Sequence, residues 1–156
     1  MLFLSLLLLM LAVASIPPLP SWFGWRTFQD RARIAAGLAF IVGGSLHFSN
    51  PDTYLAMMPD ALPARLALVY VSGAAEIAGG VGLFIRPLQR AAAWGLVILL
   101  VAIFPANIKN ALDSGVSADG LPGWYHWVRL PFQAVYIWWV LWATRPEPET
   151  SADRER

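Results

Sequence analysis

Apolar residues collect in five runs, roughly 2–16, 34–48, 66–85, 91–108 and 128–144, and apart from Glu76 and Arg129 the charged positions fall between them or beyond the last. None of the runs alternates with period two, and the middle three are rich in Gly and Ala, so helices are expected rather than strands. An open sheet also leaves backbone groups that lipid cannot satisfy. Each run is therefore a predicted transmembrane helix. Several are shorter than the ~20 residues that cross a ~30 Å hydrocarbon core, which assigns interfacial positions to Trp22, Trp25, Trp94, Trp127 and Trp142 at their ends. The expected fold is all-α, a polytopic transmembrane helix bundle. Residues 26–144 form a four-helix core, residues 1–25 add an N-terminal transmembrane helix and an interfacial segment, and residues 145–156 form a solvated, disordered tail. That tail mixes charges with Pro146 and Pro148 and has no apolar periodicity.

Composition agrees with this pattern. Of 156 residues, 58% are apolar and only 13% charged, about half the charged share of an ordinary soluble domain. A net charge of +1 offers no basic surface for nucleic acid. The chain has no cysteine, which excludes disulfides, thiolate metal sites and thiol relays. Two histidines without HxxxH or HExxH spacing give no reason to expect a metal centre.

Charge placement sets the expected orientation. With five crossings, Arg26, Arg31, Arg33, Arg86, Arg90, Arg145, Arg154 and Arg156 share one side, and Arg65, Lys109 and Arg129 the other. The positive-inside rule then puts the N-terminus outside and the C-terminus in the cytoplasm of a bacterial inner membrane. Ala12-Val13-Ala14 resembles a signal-peptide cleavage site. Cleavage there would place the larger basic set outside, so the first helix is expected to be retained. The loops 49–65 and 109–127 then face outward, and 86–90 is a tight cytoplasmic turn.

Five polar residues on four of these helices are the candidate site. Glu76 lies about 11 residues, or ~16 Å, along its helix from Arg65, where exposure to lipid is costly for a charge. It is expected to face the bundle interior with Ser72, Gly73, Gly79 and Gly80, either as a functional acid or as one neutral carboxyl in a packing seam. His47, with Gly43 and Gly44 one turn earlier on its face, reads as a proton carrier or ligand group, or as an interfacial histidine bonded to a carbonyl. Pro105 frees a carbonyl about one turn before it, which Asn107 is placed to satisfy unless it binds ligand. Arg129, Gln133 and Tyr136 form one ridge on the last helix, from which Arg129 or Gln133 is expected to reach Glu76. His47, Glu76, Asn107, Arg129 and Gln133 together describe a polar pocket for a small lipid-soluble ligand.

The segments Gly43-Gly44-Ser45-Leu46-His47-Phe48, Ser72 through Gly80 (SGAAEIAGG), Phe104-Pro105-Ala106-Asn107 and Arg129-Leu130-Pro131-Phe132-Gln133 resemble the DoxX-like family of small bacterial membrane proteins over roughly residues 33–144. The resemblance implies four core helices associated with redox complexes or quinone-linked oxidation. The chain departs from the shortest family pattern in its additional N-terminal segment, and without cysteine it cannot carry out the thiol chemistry suggested for some relatives.

The expected function is a quinone- or lipid-binding accessory subunit of a membrane redox system. Glu76 and His47 would exchange protons while Asn107, Arg129 and Gln133 hold carbonyl oxygens. No built-in flavin, haem or metal is expected, so a bound quinone is the candidate cofactor and a partner membrane enzyme must carry the electrons. Complete catalysis by this chain alone is not expected. The competing reading is a non-catalytic scaffold or assembly factor that joins other membrane proteins through its glycine faces. A small-solute transporter is a third reading, disfavoured because no inverted repeat is visible.

Overall fold

The computed structural model describes residues 2–16, 27–59, 61–112 and 123–146. The described chain is all-helical. The helices are α1 (Leu2–Ala14), α2 (Phe28–Ser49), α3 (Pro51–Met57), α4 (Arg65–Gly82), α5 (Gln89–Leu112) and α6 (Gly123–Ala143), with a 3-10 turn at Arg86–Leu88 between α4 and α5. Each of the five apolar runs lies on one of the long helices, but α2 and α6 begin several residues before their runs. The extension of α2 has a local cause. Thr27 and Asp30 form a capping box, the Asp30 amide donating to Thr27 Oγ1 at 3.1 Å and the Thr27 amide to Asp30 Oδ2 at 3.2 Å. That cap lets the helix start through Asp30, Arg31 and Arg33, charges at which an apolar run stops.

Two stretches, α2 and Arg86–Leu112, are long and apolar enough to cross a membrane. The 22 residues of α2 extend about 33 Å at the helical rise of 1.5 Å per residue. The Trp22 and Trp25 anchors, most of the 109–127 loop and the tail from 147 onward lie outside the described residues.

Two glycine pairs hold α2 against α4. A Cβ on Gly44 would lie 2.6 Å from the Gly73 carbonyl oxygen, and one on Gly80 would lie 2.6 Å from the Gly37 carbonyl oxygen. Gly37 and Gly44 are two turns apart, as are Gly73 and Gly80, so the antiparallel backbones touch at two levels where no side chain fits. A second face of α4 meets α5, where Gly79 receives the Leu96 side chain and Gly82 abuts Ala92. The apolar core gathers Leu7 of α1, Ala35, Ala36, Ala39 and Phe40 of α2, Leu83 just beyond α4, Leu96 and Leu100 of α5, and Tyr136 and Val140 of α6. Two side-chain bonds tie α6 across to the start of α2: Gln29 Nε2 donates to the Trp142 carbonyl at 3.2 Å, and Trp139 Nε1 to the Ala32 carbonyl at 3.0 Å.

The outward faces of the long helices are apolar too. Trp94, Ile98 and Val101 form a stripe on α5 and are 55%, 67% and 57% exposed. Val71 on α4 and Trp124, Trp127 and Trp138 on α6 are also exposed. A protein built for water would keep such a contiguous surface small.

Candidate functional site

The loop expected at 49–65 carries the short helix α3. Its start is signalled by Asn50-Pro51-Asp52, with proline at the first helical turn, where its missing N–H costs nothing. α3 lies over the ends of α2 and α4 and brings Thr53, Tyr54 and Met57 to the rim of a cavity of about 310 Å³. His47, Glu76, Asn107, Arg129 and Gln133 all line this cavity, together with Tyr125 and Tyr136. The four helices that carry the candidate residues thus converge on one space, which Phe40, Leu46, Leu100 and Ile103 wall with apolar surface.

Hydrogen bonding places one ring proton of His47. Its Nδ1 lies 3.1 Å from the Val69 carbonyl oxygen, an atom that can only accept, so Nδ1 carries the proton. Ser72 Oγ donates to the same carbonyl at 2.9 Å and sits 3.1 Å from Nδ1. Nε2 is left as the nitrogen that gains or loses a proton, and it faces Glu76 Oε1 at 3.6 Å. A proton on either group has the other as its neighbour. The two side chains are buried between α2 and α4 on either side of the Gly44–Gly73 contact, which accounts for their closeness: a Cβ on Gly73 would lie 2.6 Å from His47 Cβ, and one on Gly44 would lie 3.0 Å from Glu76 Cβ.

The sequence pattern assigned Glu76 to Arg129 or Gln133, and the geometry corrects that. Glu76 pairs with His47. Arg129 forms no ion pair with it but occupies the same cavity, with Nη1 4.0 Å from Met57 Sδ. Gln133 donates from Nε2 to the Leu100 carbonyl, in the turn before Pro105 and beside Val101, whose usual donor at position 105 is missing. This too is a correction, because Asn107 was expected to take the backbone role. Asn107 instead donates from Nδ2 to Gln133 Oε1 at 3.0 Å. Since the carbonyl can only accept, both amides are fixed in orientation, and Asn107 Oδ1 is the acceptor left on the cavity side.

Tyr54, which the sequence reading did not single out, stacks on His47 with ring centroids 3.8 Å apart. Burial, reinforced by the Glu76 carboxylate and opposed by Arg129, pushes its phenol above the usual value, so it remains a hydrogen-bond donor at neutral pH. A second polar contact was also missed: Asn110 Nδ2 and His126 Nδ1 meet at 2.9 Å where α5 and α6 pack, both residues buried.

A family described as a domain of unknown function (DUF8561) matches residues 36–144, the stretch that contains all five candidate residues. No curated protein and no solved structure matches the chain.

Proposed function

The chain belongs to the DUF8561 family, a domain of unknown function, and from its geometry we propose that it is a polytopic inner-membrane protein whose cavity binds a small lipid-soluble ligand bearing carbonyl or hydroxyl oxygens. A quinone is the class that fits best. In this reading a four-helix core, α2, α4, α5 and α6, is joined by α1 as an extra membrane helix. The support is physical. Only 22% of the apolar window of Arg86–Leu112 is buried, whereas the core helix of a soluble protein would be mostly covered, and large apolar side chains face outward on the other long helices. The excess of arginine at the α4–α5 turn and beside the ends of α2 and α6 favours a cytoplasmic C-terminus.

The observation that carries the ligand reading is the convergence of five polar residues from four helices on one cavity of about 310 Å³, the lower end of the ~300–1,000 Å³ usual for small-molecule sites. Arg129 and Tyr54 supply donors for ligand oxygens, and Asn107 Oδ1 an acceptor. Glu76 and His47 supply a place to exchange a proton with a bound quinol or quinone. Gln133 has both ends of its amide occupied by protein and positions Asn107 rather than touching ligand. The DoxX-like motifs point to the same ligand class and to an accessory role beside a membrane redox enzyme, which would carry the electrons. Mass spectrometry of the organic extract from gently purified protein tests the reading. About one quinone per chain is expected from the native protein, and at least tenfold less from Glu76→Gln and Arg129→Gln at unchanged abundance. Equal background lipid in all three would sink it.

A scaffold or assembly role is the second reading. It is favoured by how much of the polar cluster is bonded within the protein: His47 to Val69 and Ser72, Asn107 to Gln133, and Gln133 to Leu100. Under that reading Glu76→Gln lowers abundance and any associated activity together.

A further inference from the structure

A second hollow, of about 240 Å³, opens at the opposite end of the bundle between the start of α5 and the end of α6. Arg90, Trp94, Leu141, Thr144 and Arg145 line it. From the two arginines, the apolar wall beneath them and their level in the bundle, we propose that this cleft binds the phosphate of an anionic phospholipid, with the acyl chains running along the exposed stripe of α5.

Four observations carry this. Among the described residues neither guanidinium has an ion-pair partner: the pairs are Arg33 with Asp30 and His47 with Glu76. Two positive charges sharing one cleft repel each other, and an anion between them removes that cost while meeting a planar donor array on each side. The wall changes character along the membrane normal. Arg90 and Arg145 stand at the helix ends, and Trp94 follows one turn into α5, the usual level of an interfacial indole. Beyond it Ile98 and Val101 continue the same exposed apolar face, 67% and 57% exposed, and among the described residues no other helix covers them. A basic pocket between helix ends, continuous with an exposed apolar helix face, suits a lipid headgroup better than a soluble anion, which would gain nothing from that face. The site is independent of the quinone reading, since it shares no residue with the outer cavity. It requires only that the helices lie in a bilayer.

The full-length protein, extracted from membranes in a non-ionic detergent, is titrated with phosphatidylglycerol, phosphatidylcholine or inorganic phosphate and followed by native mass spectrometry. One phosphatidylglycerol per chain is expected to persist at activation energies that strip phosphatidylcholine. The variant Arg90→Gln, Arg145→Gln should lose about tenfold or more in that affinity. Arg86→Gln, equally exposed at the same end but outside the cleft, should lose little. All three arginines are exposed, so folding should survive; Arg145→Gln alone gives the same reading should the double variant fail to fold. Equal retention of the two lipids, or an equal loss in Arg86→Gln, would show mere surface charge and overturn the proposal. So would saturable binding of inorganic phosphate that displaces the lipid. Membrane extraction precedes the titration, so failure to find the protein in membranes is distinguishable from failure of the cleft.

Discussion

The two ends of the α2–α4 pair solve opposite problems with the same helices. Toward the α4–α5 turn, Gly37 and Gly80 let the backbones touch, and Leu83, Ala93 and Leu96 fill what remains with apolar atoms. Toward α3, Gly44 and Gly73 repeat the contact, but His47 one turn beyond it and Glu76 one turn before it stand in place of aliphatic side chains, and a cavity opens beside them. The close packing is what makes the polar pair tolerable. It excludes lipid from one side and aims both groups at each other and at the cavity, where a more open crossing would leave a charge facing hydrocarbon. Rigid seam and reactive pair therefore form one construction, and perturbing them separately should have different consequences.

The largest expected effect is at the seam. Gly44→Ala or Gly80→Ala drives a methyl against a backbone carbonyl at 2.6 Å, which a side-chain rotation cannot relieve. Overpacking of this kind costs roughly 1–3 kcal/mol at each position. Gly95→Ala adds the same methyl to α5, where nothing lies within 4 Å, and should cost nothing. Thermal midpoints of the detergent-solubilised variants check this. Equal behaviour of Gly44→Ala and Gly95→Ala would show that the two backbones do not touch.

Next is Gln133→Leu, which keeps the bulk and removes both amide bonds. It takes the side-chain donor from the Leu100 carbonyl and leaves the half-buried Asn107 amide without its partner, at a cost of roughly 1–3 kcal/mol for a buried polar group left unpaired. Because the loss is confined to the α5–α6 side, it should combine additively with Gly80→Ala. A strong coupling between the two in a double-mutant cycle would mean that seam and cavity respond as one unit.

What the sequence revealed follows from which signals are local. The five apolar runs mark the long helices because an uncharged stretch can be read without neighbours, whereas the true start of α2 depends on Thr27 and Asp30 capping a turn that carries arginines. Burial of Glu76 and its glycine-lined face were legible from spacing along one helix. Its partner was not, since the rotation of α2 and α6 about their axes decides whether His47 or Arg129 arrives, and one sequence does not contain that angle. The exchange of roles between Asn107 and Gln133 has the same origin: the loss of a backbone donor at Pro105 was foreseeable, but the amide that reaches the preceding turn comes from another helix. The helix α3 was missed although Asn50-Pro51-Asp52 carries a start signal, because seven residues between long apolar runs make no periodicity to read.

The smallest effect is expected at Tyr54, and it isolates the cavity from the seam most cleanly. Its ring covers His47 from α3 without touching either glycine pair. Tyr54→Leu should lower stability by only about 0.5–1.5 kcal/mol, the range for losing one aromatic stack. Tyr54→Phe keeps the stack and should be close to neutral in stability. If the phenol hydrogen-bonds a ligand oxygen, however, Tyr54→Phe should still reduce the amount of lipid-soluble ligand that co-purifies, by several-fold for one lost neutral hydrogen bond. The pair of variants therefore separates cover from contact. Ligand loss in Tyr54→Leu alone would leave α3 as a lid over His47, and loss in both would make the phenol a binding group. Retention in both would confine recognition to Arg129 and the groups deeper in the bundle.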